Sequence, residues 1–126
     1  MVFFFISNAC AQSNWSPWRQ TDCLKGLDFR VKRGEYNEFA KKYHWDVEFR
    51  NRYNDNIHFN CIAVEPSRKS EIRSSERTSD RLHADANGGT NTAWFLINSS
   101  SEIYVHVNRI RISDKDSGED YYDCDN

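Results

Sequence analysis

Apolar and polar residues alternate along most of this chain. In His44–Tyr53 (HWDVEFRNRY), Trp45, Val47 and Phe49 fall on one side. In Ile57–Pro66 (IHFNCIAVEP), Ile57, Phe59, Cys61 and Ala63 do the same. A repeat of two is the geometry of a strand with one face buried. Only Asn54-Asp55-Asn56 separates the runs, and Asn and Asp suit a tight turn, so the pair is expected to form an antiparallel hairpin. Leu27–Lys32 alternates as cleanly: Leu27, Phe29 and Val31 point inward, Asp28, Arg30 and Lys32 outward, until Arg33-Gly34 ends the run. A shorter strand is expected near Trp15–Cys23.

Thr92–Ile97 (TAWFLI) and Glu102–Ile112 (EIYVHVNRIRI), joined through Asn98-Ser99-Ser100-Ser101, predict a second hairpin. In its later arm Ile103, Val105 and Val107 share one parity, whereas Ile110 and Ile112 share the other. The switch at Asn108-Arg109 predicts a bulge, or a strand bending from one sheet to the other. Glu35–Tyr43 (EYNEFAKKY) places Tyr36, Phe39, Ala40 and Tyr43 at helical spacing, which predicts one or two helical turns or a longer hairpin connection. Ser67–Asn91 is polar, with Ile72 and Leu82 as its large apolar residues, and closes on Ala86-Asn87-Gly88-Gly89-Thr90. It is expected to be a mobile surface loop with a short edge strand near Glu71-Ile72-Arg73.

Six or seven short strands without a long helix predict an all-β fold: an antiparallel two-sheet sandwich of the immunoglobulin or fibronectin kind. A five-stranded barrel is the alternative. The chain divides into residues 1–11 as a signal peptide, 12–113 as the sandwich, and 114–126 as an acidic tail. Val2-Phe3-Phe4-Phe5-Ile6 followed by Ala9-Cys10-Ala11 gives an apolar run and small residues at the spacing of a cleavage site, so a secreted or periplasmic location is expected. Anchoring through a lipidated Cys10 is a variant of that reading.

With 126 residues, 38% hydrophobic and 14% aromatic, there is room for one modest core built on large rings. The net charge of −2 gives no argument for nucleic acid or membrane binding. From Asp114 onward six acids face the single Lys115, a local −5, leaving about +3 elsewhere. No stretch has the length and apolarity of a membrane-spanning helix. No cysteine pair has CxxC spacing, so a zinc or dithiol site has no support. In an oxidising compartment Cys23 and Cys61 are expected to pair, closing a loop of about 38 residues. Cys124 is then left as the odd thiol or replaces one of the two.

No G-x-S-x-G, HExxH, P-loop or GxGxxG occurs, so no catalytic residue and no cofactor is expected. Asp114, Asp116 and Asp120 begin the alternate-oxygen pattern of a calcium loop. The third alternate ligand before Gly118 and a suitably placed bidentate Glu are missing, so the segment is expected to be solvated.

Trp15-Ser16-Pro17-Trp18, with Cys23, Gly26 and Arg30 following, resembles the opening of a thrombospondin type 1 repeat over some sixteen residues. Leu24-Lys25-Gly26 stands where the family has a second cysteine and glycine, and the six-cysteine framework is absent. What the resemblance implies is local: tryptophans stacked on cations of a neighbouring strand. Trp18 near Arg30 or Lys32 suits such a contact.

The candidate ligand-binding residues are Trp15, Trp18, Arg30, Lys32, Tyr104 and His106, aromatic or polar groups on outward-facing positions. A small exported domain without a catalytic motif points first to a module for protein or cell-surface contact. Carbohydrate binding on Trp or Tyr platforms comes second, and a small secreted hydrolase third.

Overall fold

A computed structural model describes residues 14–72, 81–118 and 120–126. The expected signal peptide and Cys10 lie outside them, as do residues 73–80 of the polar loop. Seven strands are present among the described residues: β1 (Arg19–Gln20), β2 (Leu27–Asn37), β3 (Lys42–Asn51), β4 (Ile57–Val64), β5 (Arg81–Ala84), β6 (Gly89–Ile97) and β7 (Tyr104–Ile112). They form two antiparallel sheets, a four-stranded one in the order β1-β2-β3-β6 and a three-stranded one in the order β5-β4-β7. The fold is the expected all-β sandwich. An immunoglobulin constant domain has the same four-plus-three division but sets its fifth strand beside its second; here β3 lies between β2 and β6.

The alternating residues make the core. Leu27, Phe29 and Val31 of β2, Trp45, Val47 and Phe49 of β3, and Ile57, Phe59 and Cys61 of β4 are all buried. Phe49 and Phe59 meet edge to face with centroids 4.9 Å apart, joining the two sheets at the centre. The parity switch in β7 is a bulge. His58 pairs with Arg111 and Asn60 with Asn108, so β7 carries one extra residue between those pairs. Arg109 takes the left-handed φ of 51° that lets it do so. Val105 and Val107 before it and Ile110 after it are all buried as a result.

Both expected hairpins are corrected. β3 lies in the four-stranded sheet and β4 in the three-stranded one, so Arg52–Asn56 carries the chain across the sandwich instead of folding it back in one sheet. The same holds for β6 and β7 across Asn98–Ile103. A hairpin joins β2 to β3 through Glu35–Tyr43, so of the two expectations for that segment the longer hairpin connection is the one that forms, not the helical turns. Tyr36 pairs with Tyr43, and the turn closes with the Lys41 amide donating to the Asn37 carbonyl at 2.7 Å. Phe39, counted toward a helical stripe, is fully exposed at the turn. In the polar loop a 3-10 helix spans Pro66–Glu71, and the edge strand is β5 at Arg81–Ala84 instead of near Ile72.

The Cys23–Cys61 pairing is also corrected. Cys23 is bonded to Cys124, and Cys61 is a buried free thiol. Phe59, Cys61 and their neighbours fill the interior of β4, whereas Cys23 lies in the turn before β2, within reach of the C-terminal segment. That segment, expected to be a solvated tail, is fastened to the sandwich. The Tyr122 amide donates to Ile110 at 2.6 Å on the open edge of β7, Asp125 accepts from the Lys25 amide at 2.8 Å, and Asn126 donates to Thr21 at 3.1 Å.

Candidate functional site

Pleating sends Asp28, Arg30 and Lys32 of β2 to the outer face of the four-stranded sheet. Register sets them opposite Arg50, Glu48 and Asp46 of β3, which in turn oppose Thr90, Thr92 and Trp94 of β6. The face is therefore ruled in rows of side chains, and in each row the β2 and β3 neighbours carry opposite charges. Arg30 donates to Glu48 at 2.7 Å. Asp28, buried in the sheet, accepts from Arg50 at 2.8 Å and from Arg52 at 2.7 Å.

The N-terminal described residues lie across this face. Ser16 clamps them to β2: its amide donates to the Val31 carbonyl at 2.8 Å, and its hydroxyl accepts from the Val31 amide at 2.9 Å. The clamp sets Trp15 and Trp18 among the cations. Trp15 meets Lys32 at 4.9 Å and Arg30 at 4.8 Å, and Trp18 meets Arg30 at 4.5 Å and Arg50 at 4.3 Å. Four of the candidate residues, Trp15, Trp18, Arg30 and Lys32, are thus brought together as an alternating column of rings and cations. The stacking that the Trp-Ser-Pro-Trp segment suggests is present. These indoles are engaged with the sheet's own side chains and do not stand out as open platforms.

The open indole is Trp94, which the sequence reading did not single out. It is 60% exposed on β6, the edge strand of its sheet. The His44 ring stacks on it with centroids 5.2 Å apart and planes 14° from parallel. His44 Nε2 lies 3.0 Å from Asp46 Oδ1. Around this pair lies an open depression of about 760 Å³, lined by Lys32, Arg33, Glu35, Asn37, Asp46 and Trp94 among others. Gly34 backs it: a methyl group there would sit 3.3 Å from both the ring and the carbonyl of His44. The TAWFLI run is apolar on both parities, so only the structure shows which side Trp94 takes. Ala93 and Ile97 are buried, so Trp94, of the opposite parity, takes the outer face of its sheet.

Tyr104 and His106 lie elsewhere, on the outer face of the three-stranded sheet. The Tyr104 hydroxyl donates to Asp22 at 2.7 Å, and Lys69 sits 5.1 Å from its ring. Burial and that hydrogen bond push the Tyr104 hydroxyl up to about 12. His106 lies beside it, with ring centroids 6.3 Å apart. On the same face His58 stacks on His83 of β5 at 5.6 Å.

The calcium candidates do not converge. Asp116 accepts from Arg81 at 2.7 Å and from Arg111 at 3.2 Å, Asp114 accepts from Asn56 at 3.3 Å, and Asp120 is exposed. The Arg81 hydrogen bond, opposed by burial and joined by Arg111, holds the Asp116 carboxyl far below the ordinary range, as expected of a carboxylate with two guanidinium partners. Among the described residues no group of three His, Cys, Asp or Glu side chains is placed to hold a metal ion. No helix among them is long and apolar enough to cross a membrane. Comparison with protein-family models, with curated proteins and with solved structures finds no match.

Proposed function

We propose that this protein is an exported, non-catalytic binding module that meets a partner at a cell surface through the outer face of its four-stranded sheet, beside β6. The observation that carries this reading is Trp94, a 60% exposed indole held flat by a stacked histidine over an open depression. Exposed aromatic side chains with hydrogen-bonding neighbours supply contact area at low entropic cost and are enriched where proteins bind partners. The Cys23–Cys124 bridge supports the location, since disulfides persist in oxidising compartments.

Binding of labelled protein to intact cells tests the reading. Saturable binding that falls at least about tenfold on Trp94→Ala is expected, because a central aromatic anchor carries a large share of an interface. Unchanged binding by the variant removes the site.

A further inference from the structure

We propose that the occupant of the Trp94 depression is a neutral saccharide, with one pyranose ring lying on the indole. The inference rests on the reading of this face as the contact surface and names the chemistry of the partner.

Three observations support it. The first is the shape. The depression is broad and open, lined by Tyr36 and Leu96 as well as polar groups, and Trp94 stands 60% exposed at its margin with His44 stacked on one face of the indole. A pyranose has a face of C–H groups, and the negative face of an indole attracts their weakly positive hydrogens. The second is the surrounding polar chemistry. Asp46 accepts, Lys32 donates, and the Asn37 side-chain nitrogen donates while its Oδ1 accepts from the Ala40 amide at 2.8 Å, so the lining offers both donors and acceptors to a ring of hydroxyls. Register places Lys32, Asp46 and Trp94 in one row across three strands, so these groups sit beside the indole on a rigid support. The third is charge. Lys32 and Arg33 are balanced by Glu35 and Asp46 along the lining, so the depression has no net sign with which to select an acidic polymer.

His44 acts here as a positioning residue. Stacked on Trp94 and tied to Asp46, it fixes the two groups that would touch the ring. Its own room depends on Gly34, where an added methyl would press on the imidazole at 3.3 Å.

The test is calorimetric titration of the intact protein and its variants with neutral oligosaccharides of glucose, mannose, galactose and N-acetylglucosamine, with the Trp94 indole N–H resonance followed in the chains that keep it. Heparin serves as the charged comparison. A saturable shift with at least one neutral series is expected, at about millimolar affinity for a single ring and tighter for longer chains. Trp94→Ala and Asp46→Ala each weaken the calorimetric binding at least about tenfold, and Gly34→Ala weakens it while leaving the indole in place. If no neutral oligosaccharide shifts the resonance, or if binding survives Trp94→Ala, the inference is overturned. Binding of heparin alone overturns it as well and assigns the face to polyanions. Cell binding separates this from the broader reading. If Trp94→Ala abolishes it but glycosidase treatment of the cells does not, the saccharide is wrong and the contact face stands. If Trp94→Ala leaves cell binding intact, the contact face falls, while the oligosaccharide titration still decides the ligand.

Discussion

The side-chain amide of Asn51 donates to the backbone carbonyl of Ala84 at 3.0 Å, tying the end of β3 to the end of β5 in the other sheet. The same nitrogen reaches the Asp55 carbonyl at 2.8 Å, and Asn51 Oδ1 accepts from the Tyr53 amide at 2.9 Å. One fully buried side chain thus satisfies backbone groups at two crossings between the sheets. Asn51→Ala leaves those groups without a partner, and a loss of about 2–3 kcal/mol in urea unfolding is expected. Asn51→Asp is expected to be at least as damaging, because it turns an acceptor toward the carbonyls.

The Cys23–Cys124 bridge makes a prediction about thiols. Cys61 is buried and reduced, so it should label with a thiol reagent only after unfolding. Peptide mapping without reductant should recover Cys23 linked to Cys124, and a Cys23–Cys61 peptide would contradict the structure. The bridge spans a sequence separation of 101, so Cys124→Ser is expected to cost about 4.7 kcal/mol on a chain-entropy estimate.

Arg30 lies between the two stacked tryptophans and also pairs with Glu48. Arg30→Ala removes two ring contacts and strands a half-buried carboxylate, so about 1–2 kcal/mol is expected to be lost, with a change in tryptophan fluorescence. Arg30→Lys keeps the charge but not the planar stack and should recover part of the loss.

Acid and alkali should act through different groups. Burial pushes the Asp28 carboxyl up, but the hydrogen bonds and charges of Arg52 and Arg50 outweigh it and hold the group below its ordinary 3.8. Asp116 is depressed further by Arg81 and Arg111. Below about pH 4 the unfolded chain therefore binds protons that the folded chain resists, and stability present above that pH is lost as the pH falls. Asp28→Asn should cost about 2 kcal/mol at neutral pH and much less at pH 2–3, as read from thermal unfolding. Tyrosine works in the opposite sense. Burial, with hydrogen bonds to Asp125 and Asp22, raises Tyr53 and Tyr104 to about 12 from 10. The folded chain then holds protons that the unfolded chain releases, so stability declines as the pH climbs from 10 toward 12. An absorbance titration should show both hydroxyls ionising late.

Alternation revealed which residues face the interior, and it located most of the strands and the β7 bulge. It did not reveal which sheet each strand joins. Phe49 and Phe59 read identically whether their strands pair edge to edge or face each other across the core, and here they do the latter. The spacing of Tyr36 and Tyr43 left helical turns and a hairpin connection both open, and the two sit opposite each other in a hairpin. The cation–ring column was legible, since Trp15, Trp18, Arg30 and Lys32 were all placed outward. Trp94 was not, because its run is apolar on both parities and only the packing of one face of its sheet on the other sheet decides which parity meets solvent. The grip of the acidic segment was hidden as well, since single contacts such as Asp116 on Arg81 and Arg111 leave no periodic trace.

The chain changes sheet three times: β3 to β4, β5 to β6, and β6 to β7. Neither layer is assembled from one uninterrupted stretch of chain, so neither can peel away while the other stays whole. Thermal and chemical denaturation should collapse the molecule in a single step, and refolding, which must bring distant segments together before any layer is complete, belongs to the slow, millisecond-to-second class. Whatever meets the Trp94 corner meets a wall braced from behind, which yields as a unit or not at all.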